Sequence, residues 1–240
     1  MNQSEKRLFL IQSLLKERPE YRDLSIPSES DSQRQLLRGL MNIRTPQRTD
    51  AEFLKTQDAY LQGETAAKGI TDIAGLTPIQ PGLYLWQGDI TTLKCDAIVN
   101  AANSGMTGCY IPNHRCIDNA IHTYAGVELR LACAELMEQQ GHPEPTGQAK
   151  ITPAFNLPCR YVLHTVGPII DGRVTKEDKE LLASCYRSCL ELAAENGLES
   201  VAFCCISTGE FHFPNDLAAE IAVRTVKEFL KKQTSVKKVI

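Results

Sequence analysis

Short and almost wholly apolar strand patterns alternate with helical patterns from about residue 83 to the end of the chain. The strand patterns lie at 83–86, 97–99, 149–152, 161–166 and 201–206. The helical patterns lie at 117–136, 176–195 and 215–232. A strand that is apolar at nearly every position needs cover on both faces, so the alternation predicts an α/β sheet between two layers of helices. Val239 and Ile240 resemble the start of a further strand, and we expect the natural chain to continue beyond them.

The first 75 residues have a different character. Apolar residues recur at helical spacing in three short segments, near 8–15, 36–41 and 50–62, and polar turns separate them. The stretch 66–81 contains Gly69, Gly75 and Pro78 and is typical of a linker. The predicted organisation is therefore a helical N-terminal extension over 1–75 and an α/β domain over 76–240, truncated at its C-terminus if the natural chain is longer.

Composition excludes several classes of function. The net charge is −3, and no basic stripe alternates with aromatic residues, so nucleic acid is not an expected partner. No apolar run approaches the ~20 residues that cross a bilayer, and the N-terminus lacks the features of a signal peptide. These observations predict a cytoplasmic protein that does not associate with a membrane.

The chain has nine cysteines, an odd number in a context that is not secretory, so a disulfide framework is not expected. Five of them lie in apolar strand or helix patterns and behave as small core residues: Cys133, Cys185, Cys189, Cys204 and Cys205. Cys109 and Cys116 lie outside such patterns.

Four unusual loops follow strands, at the sheet edge where open α/β sheets bind ligands. They are Gly88-Asp89-Ile90, the segment 100–105, Gly167-Pro168, and Ser207-Thr208-Gly209-Glu210-Phe211. The last, hereafter the anion loop (residues 207–211), joins a strand to a helix with small residues and would expose backbone N–H groups to a phosphate. Taken alone, such a loop is equally often a simple tight turn.

The three loops at 88–90, 100–103 and 207–211 occur in an order and at separations that resemble the macrodomain family, from about Gly82 to the end of the chain. The resemblance implies a three-layer α/β/α domain with a central mixed sheet that binds ADP-ribose. It implies that Asp89 accepts a hydrogen bond from the adenine amino group, that Ile90 lies against the adenine ring and that Asn103 faces the distal ribose. The diphosphate would contact Ser207, Thr208, Gly209, Glu210 and Phe211. Without the resemblance, the preferred interpretation would be an ordinary turn aspartate at Asp89 and a loop-forming side-chain hydrogen bond at Asn103.

A second motif, Cys-x4-His-x-Cys at Cys109, His114 and Cys116, offers two thiolates and an imidazole within eight residues. Zinc favours these ligands, and three protein ligands with an open fourth position are typical of a catalytic zinc. On spacing alone, a loop with two incidental cysteines and a histidine near a helix start is an equal alternative. His122 lies further along, inside the predicted helix, and is interpreted as a structural histidine.

The segment from Gly108 to Gly126 resembles the segment that marks the zinc-dependent macrodomains. The resemblance implies one zinc ion per chain held by Cys109, His114 and Cys116, and it agrees with a helical N-terminal extension. It also implies an association with a sirtuin-type ADP-ribosyltransferase and with a carrier protein similar to the glycine-cleavage H protein.

These observations predict a zinc-dependent hydrolase that removes ADP-ribose from aspartate or glutamate side chains of mono-ADP-ribosylated proteins. Zinc can activate water or act as a Lewis acid on the substrate, and the sequence leaves both open. Asn103 and Asp118 are the candidate catalytic side chains, and Ile117, Asp118 and Asn119 begin a helix whose positive end would face the ligand. Asp118 would act as a base or hold a water, although an aspartate that only stabilises the helix start is the alternative.

Three other functions fit the same residues. The protein would be a reader that binds ADP-ribosylated proteins without cleaving them, a deacetylase acting on O-acetyl-ADP-ribose, or a sensor whose N-terminal helices dock a partner. Product analysis, chelation and deletion of the N-terminal helices distinguish these functions from the predicted hydrolase.

Overall fold

The computed structural model describes residues 1–21 and 23–240. Within them the chain forms α1 (Gln3–Lys16), α2 (Ser30–Ile43), α3 (Ala51–Lys68), α4 (Ile117–Ala125), α5 (Val127–Gln140), α6 (Lys176–Glu195) and α7 (Asn215–Leu230). The strands are β1 (Thr71–Asp72), β2 (Leu93–Lys94), β3 (Ala97–Ala102), β4 (Ala149–Pro153), β5 (Tyr161–Val166), β6 (Ser200–Ala202) and β7 (Lys238–Val239). Strands β1 and β2 form a separate parallel pair.

The central sheet has the strand order β4-β5-β3-β6-β7, with β4 antiparallel to β5 and the other pairs parallel. Because successive side chains of a strand point to opposite faces, Ala97 and Val99 pack toward α6 and α7, whereas Ile98 packs toward α4 and α5. Those three residues are fully buried. The predicted α/β/α arrangement with a mixed central sheet is therefore confirmed.

The N-terminal region, residues 1–75, contains the three expected helices. A capping box formed by Asn2 and Glu5 begins α1. Buried residues of α1, α2 and α3 form a core of their own, which also includes Val127 of α5. The N-terminal helices are thus packed against the α/β layers; the boundary at residue 75 stays a prediction.

The single long helix expected over 117–136 is instead two helices, and that expectation was wrong. Gly126 has φ 101° and ψ 175°, a conformation that ends α4 and that a side chain would strain. A Cβ at this position would lie 2.7 Å from the side chain of Gln57, whose Oε1 accepts a hydrogen bond from the backbone N–H of Val127. The apolar spacing continues across the break, so periodicity alone did not reveal it.

Two expected strands are shorter than their apolar patterns. The 83–86 segment is reduced to isolated bridges at Leu83, and Leu85 is 79% exposed. Strand β6 ends at Ala202, although 201–206 is apolar throughout. Part of the expected 66–81 linker is ordered, since α3 continues to Lys68 and Thr71 pairs with Leu93. Over the described ranges, no helix is sufficiently long and apolar to span a membrane.

Candidate functional site

A cavity of about 640 Å³ opens where β3, β6 and the start of α4 meet. Its size is within the range of pockets that hold small ligands. The cavity brings together most of the residues singled out from sequence: Asn103, Cys109, His114, Cys116, Ile117, Asp118, Ser207, Thr208, Gly209, Glu210 and Phe211. Segments separated by about 100 residues thus converge at the carboxyl ends of neighbouring parallel strands, as expected of an open α/β sheet.

Three residues predicted to contact the ligand are not among those that line this cavity: Asp89, Ile90 and Asn119. Ile90 is 8% exposed and packs in the core beneath α4. The Asn119 side chain is fully buried, where it accepts hydrogen bonds from Arg38 and donates one to the carbonyl of Ile111. The structure does not bring the Asn119 side chain into the cavity, because these contacts turn it toward the N-terminal region.

Asp89 follows Gly88 and begins a short 3-10 turn over Ile90–Thr92. Its Oδ1 accepts hydrogen bonds from the backbone N–H of Thr91 at 3.0 Å and from the Thr91 hydroxyl at 2.6 Å, and its Oδ2 lies 3.0 Å from Nζ of Lys68. Partial burial opposes ionisation, but the hydrogen bonds from Thr91 and Lys68 outweigh it and hold the pKa of Asp89 below its usual value. The carboxylate is a fixed, half-exposed hydrogen-bond acceptor.

Asn103 and Asp118 contact each other at the cavity wall. Oδ1 of Asn103 accepts from the backbone N–H of Gly105 at 2.9 Å, and its Nδ2 lies 3.4 Å from Oδ2 of Asp118. Oδ1 of Asp118 accepts a 2.8 Å hydrogen bond from the buried Asn100. Burial raises the pKa of Asp118 to about 6, against the opposing effect of these amides. The Asp118 carboxylate therefore binds side chains of β3 and the loop after it, and Cys116, not Asp118, caps the helix.

The ligand loop, residues 109–116, brings its three candidate ligands together. One donor atom from each of Cys109, His114 and Cys116 lies within 4.8 Å of the others, and Sγ of Cys109 is 3.7 Å from Nδ1 of His114. Sγ of Cys116 also accepts from the backbone N–H of Asn119. Burial, together with the nearby Cys109, raises the pKa of Cys116 to about 11, so this thiolate needs a cation beside it at neutral pH.

The anion loop presents polar groups without internal partners. Ser207 has φ 64°, and its hydroxyl is buried with no hydrogen-bond partner in the part of the chain that the structure describes. Among the same residues, the backbone N–H groups of Gly209, Glu210 and Phe211 have no acceptor. Consecutive unpaired N–H groups form a concave site for an anion. The carboxylate of Glu210 points to His114 instead, with Oε1 3.6 Å from Nε2.

A second group of donor atoms, His122, Cys133 and His164, lies buried behind the cavity. Nδ2 of Asn100, whose orientation is set by its hydrogen bond to Asp118, faces Nδ1 of His164 at 3.2 Å, so Nδ1 must accept. The ring proton is then on Nε2, which lies 2.9 Å from the hydroxyl of Thr152. Both ring nitrogens of His164 are therefore engaged, and this residue has no free lone pair for a metal. His122 differs, since neither of its buried ring nitrogens has a hydrogen-bond partner among the described residues, and its Nε2 lies 3.5 Å from Oδ1 of Asp118.

The fold should lose stability in mild acid because of His164. Complete burial lowers the pKa of His164 to about 3, whereas an unfolded histidine titrates near ~6.5. The unfolded state therefore binds the extra proton as pH falls below the unfolded value, and His164 should cost about 2 kcal/mol between pH 7 and pH 5. Urea unfolding at both pH values measures this, and His164→Gln should remove that share of the pH dependence. If the stability of wild type and of His164→Gln depended equally on pH, His164 would not be the source of the loss.

Sequence reasoning missed four residues that hold the site from outside: Lys68, Arg38, Asn42 and Arg130. Lys68 pairs with Asp89 and also lies 3.3 Å above the ring of Tyr124. The other three contact the ligand loop or the residues around it. Three of the four come from the N-terminal region, where they occupy ordinary polar positions of helices, so no local signal distinguishes them.

The chain has clear relatives among known proteins. The Macro domain family matches residues 99–222. A protein-ADP-ribose hydrolase of Treponema medium is 60% identical over 100% of this chain and 94% of its own length. A protein-ADP-ribose hydrolase of Staphylococcus aureus strain MSSA476 is 51% identical over 97% of this chain and 88% of its own. A Trypanosoma brucei macrodomain solved in complex with ADP-ribose has a TM-score of 0.64 and 30% identity, and the match covers 84% of this chain and 87% of that one.

Proposed function

Since the chain belongs to the Macro domain family, we propose that it binds ADP-ribose and hydrolyses its bond to modified proteins, with a zinc ion held by Cys109, His114 and Cys116. One observation carries this proposal. The anion loop, whose N–H groups at Gly209, Glu210 and Phe211 have no acceptor among the described residues, lines the same cavity as the three-ligand group. A diphosphate and the sugar attached to it fit such a combination. The relatives named as protein-ADP-ribose hydrolases support the same activity.

In the proposed complex, the anion loop binds the diphosphate through the N–H groups of Gly209, Glu210 and Phe211. The fixed carboxylate of Asp89 accepts a hydrogen bond from the adenine amino group, and the backbone at Ile90 lies beside the adenine ring. Asn103 at the opposite end orients the distal ribose. The adenine and ribose ends are thereby held at separate points, which places the anomeric carbon near the ligand loop.

Replacing Asp89 with alanine should weaken ADP-ribose binding by at least about tenfold, because a hydrogen bond to a charged acceptor is lost. Asp72 provides a matched control. It begins a 3-10 turn as Asp89 does, accepting from the backbone N–H of Ala74 and pairing with Lys94 at 3.0 Å. Calorimetry should show a large loss for Asp89→Ala and none for Asp72→Ala. Equal affinities for the two variants would exclude the proposed adenine contact.

The donor set fits zinc. Zn–S and Zn–N bonds of about 2.3 and 2.0 Å in a tetrahedral arrangement separate the two donor atoms by about 3.5 Å, close to the 3.7 Å between Cys109 and His114. The contact of Nε2 with Glu210 leaves Nδ1 of His114 facing the thiols, an orientation that carboxylates commonly impose on metal-binding histidines. When bound, zinc would supply Lewis acidity and a water of lowered pKa at the ribose end of the cavity.

The chain's own residues supply the remaining chemistry. We propose that Asp118 takes a proton from the attacking water, while Asn103 keeps the ribose in place. The water oxygen bonds to the anomeric carbon as the bond between that carbon and the carboxylate oxygen of the modified side chain breaks. The products are ADP-ribose and a free carboxylate, and the proton taken by Asp118 then passes to solvent. The hydrogen bonds from Asn100 and Asn103 hold the Asp118 carboxylate against the cavity wall before substrate arrives.

The decisive experiment follows release of ADP-ribose from a protein modified on aspartate or glutamate. We expect dilute enzyme to complete many turnovers and to lose activity on chelation, with recovery when zinc is returned. Stoichiometric binding without turnover would establish a reader instead. Turnover of O-acetyl-ADP-ribose alone would establish the deacetylase. A carrier similar to the glycine-cleavage H protein is the proposed first substrate to test.

A further inference from the structure

Helix α2 of the N-terminal region packs directly against the ligand loop. Gly39 lies at the contact, where a Cβ would be 3.3 Å from Nδ2 of Asn113 and 3.7 Å from Cβ of Pro112. The loop itself has little internal support: its one backbone hydrogen bond within the described residues joins His114 N–H to the Ile111 carbonyl at 3.2 Å. A loop of this kind must be held in place by its surroundings if its ligands are to converge.

The Arg38 side chain connects two of the three ligand positions. Its Nη2 donates to the backbone carbonyl of His114 at 3.0 Å. The same guanidinium donates to Oδ1 of Asn119, from Nε at 3.1 Å and from Nη2 at 2.8 Å. Asn119 lies in the first turn of α4, the helix that Cys116 caps. One rigid group therefore sets the position of His114 relative to the helix start that carries Cys116.

The rest of the loop is held by the end of α2. Oδ1 of Asn42 accepts the backbone N–H of Asn113, a residue with φ 56°, at 2.9 Å. Arg130 of α5 donates to the carbonyls of Asn42 and Arg44 at 2.5 and 2.6 Å, and to the carbonyl of Cys109 at 3.3 Å. The loop is thus fixed at its middle and its end by residues of α2, and at its start by Arg130 of α5, which also binds the Asn42 carbonyl at the end of α2.

We propose that Arg38 is a positioning residue for the ligand loop, so that the N-terminal region completes the active site and is not only an appended module. The inference rests on the proposed function, because the loop's purpose is to hold zinc. Arg38 does not line the cavity, and it acts through His114 and Asn119.

The test compares Arg38→Gln with Arg34→Gln, a matched variant one turn earlier on the same helix. Arg34 is exposed and pairs with Glu64 and Asp31, away from the loop. In chelator competition we expect Arg38→Gln to bind zinc about 10–100-fold more weakly than wild type, as for other residues that orient metal ligands. Affinity for ADP-ribose and the melting temperature of the zinc-free protein should be retained, and Arg38→Lys should recover part of the zinc affinity.

Wild-type zinc affinity in Arg38→Gln would overturn the inference, and so would an equal loss in Arg34→Gln. If ADP-ribose affinity and melting temperature fall together with zinc affinity, Arg38 has a merely structural role. That result would also overturn the inference. Hydrogen exchange of residues 109–116, measured in the zinc-free protein, provides a second readout that does not require the metal. Faster exchange in Arg38→Gln supports the positioning role, and unchanged exchange contradicts it. If wild type binds no zinc, the proposed function fails, while the exchange result still decides the role of Arg38.

Discussion

Cys116→Ala should abolish stable zinc binding and lower release of ADP-ribose from an aspartate-modified protein by more than about 100-fold, the upper end of losses seen for residues that only orient a metal ligand. The substitution leaves two ligands, Cys109 and His114, in a loop that needs three to enclose the ion. Metal content of the purified variant and its turnover on the modified protein measure the two effects. Wild-type turnover in Cys116→Ala would show that the zinc mechanism is wrong.

Cys116 has a second role that must be separated from the first. Its Sγ accepts the backbone N–H of Asn119 and caps α4, so alanine also removes a cap worth on the order of 1 kcal/mol. Cys116→Ser restores a capping oxygen but not a good zinc ligand. We therefore expect the serine variant to regain helix stability in thermal unfolding while it remains without zinc and inactive. Recovery of activity with serine would assign the effect of alanine to the helix cap.

Asp118→Asn should lower kcat on the modified protein by about 10²–10⁴-fold, the usual contribution of a general base. Asparagine has the same shape, and its oxygen can still accept from Asn100. It loses only the long 3.4 Å contact with Nδ2 of Asn103, whose Oδ1 stays bound to the N–H of Gly105, so the cavity and the affinity for ADP-ribose should be retained. The loss should therefore appear in kcat and not in binding. Steady-state kinetics together with calorimetry provide both quantities.

The alternative role of Asp118, a charge that only stabilises the start of a helix, has its own control. Asp216 occupies the equivalent second position of α7 and is exposed to solvent. If Asp118 only provided a charge at the helix start, both Asp→Asn substitutions would lower the free energy of unfolding by a few tenths to about 1 kcal/mol. The two variants would then have the same kcat. A kcat for Asp118→Asn equal to that of Asp216→Asn would remove Asp118 from the mechanism.

The layered fold could be predicted because it depends on short-range patterns. Ala97, Ile98 and Val99 are apolar in succession, and the structure buries them on both faces of the sheet. The break between α4 and α5 was missed, since the apolar spacing runs through it. Gly126 was the one local signal of the break, since its positive φ disfavours any other residue. The contact at the break comes from Gln57, which accepts the N–H of Val127 from 70 positions earlier in the chain.

At the site, the groups that come together could be predicted in the same way from short-range patterns. The spacing of Cys109, His114 and Cys116 predicted that their donor atoms could meet, and the structure places them within 4.8 Å of one another. The order of the strand-end loops predicted the convergence of Asn103 with the anion loop, because parallel strands bring their carboxyl ends to one edge. Asn119 differs, since its side chain turns away from the cavity to Arg38.

By itself, then, the sequence determined which groups are available for chemistry: the ligands of the 109–116 loop, the exposed amides of the anion loop and the strands that present them. Only the tertiary structure decided how those groups are held. Arg38 reaches Asn119 across 81 positions of sequence, and Lys68 reaches Asp89 across 21. Periodicity and spacing report on neighbours along the chain. Contacts between distant residues arise from how helices pack, so the support that the N-terminal region provides to the site has no local pattern to reveal it.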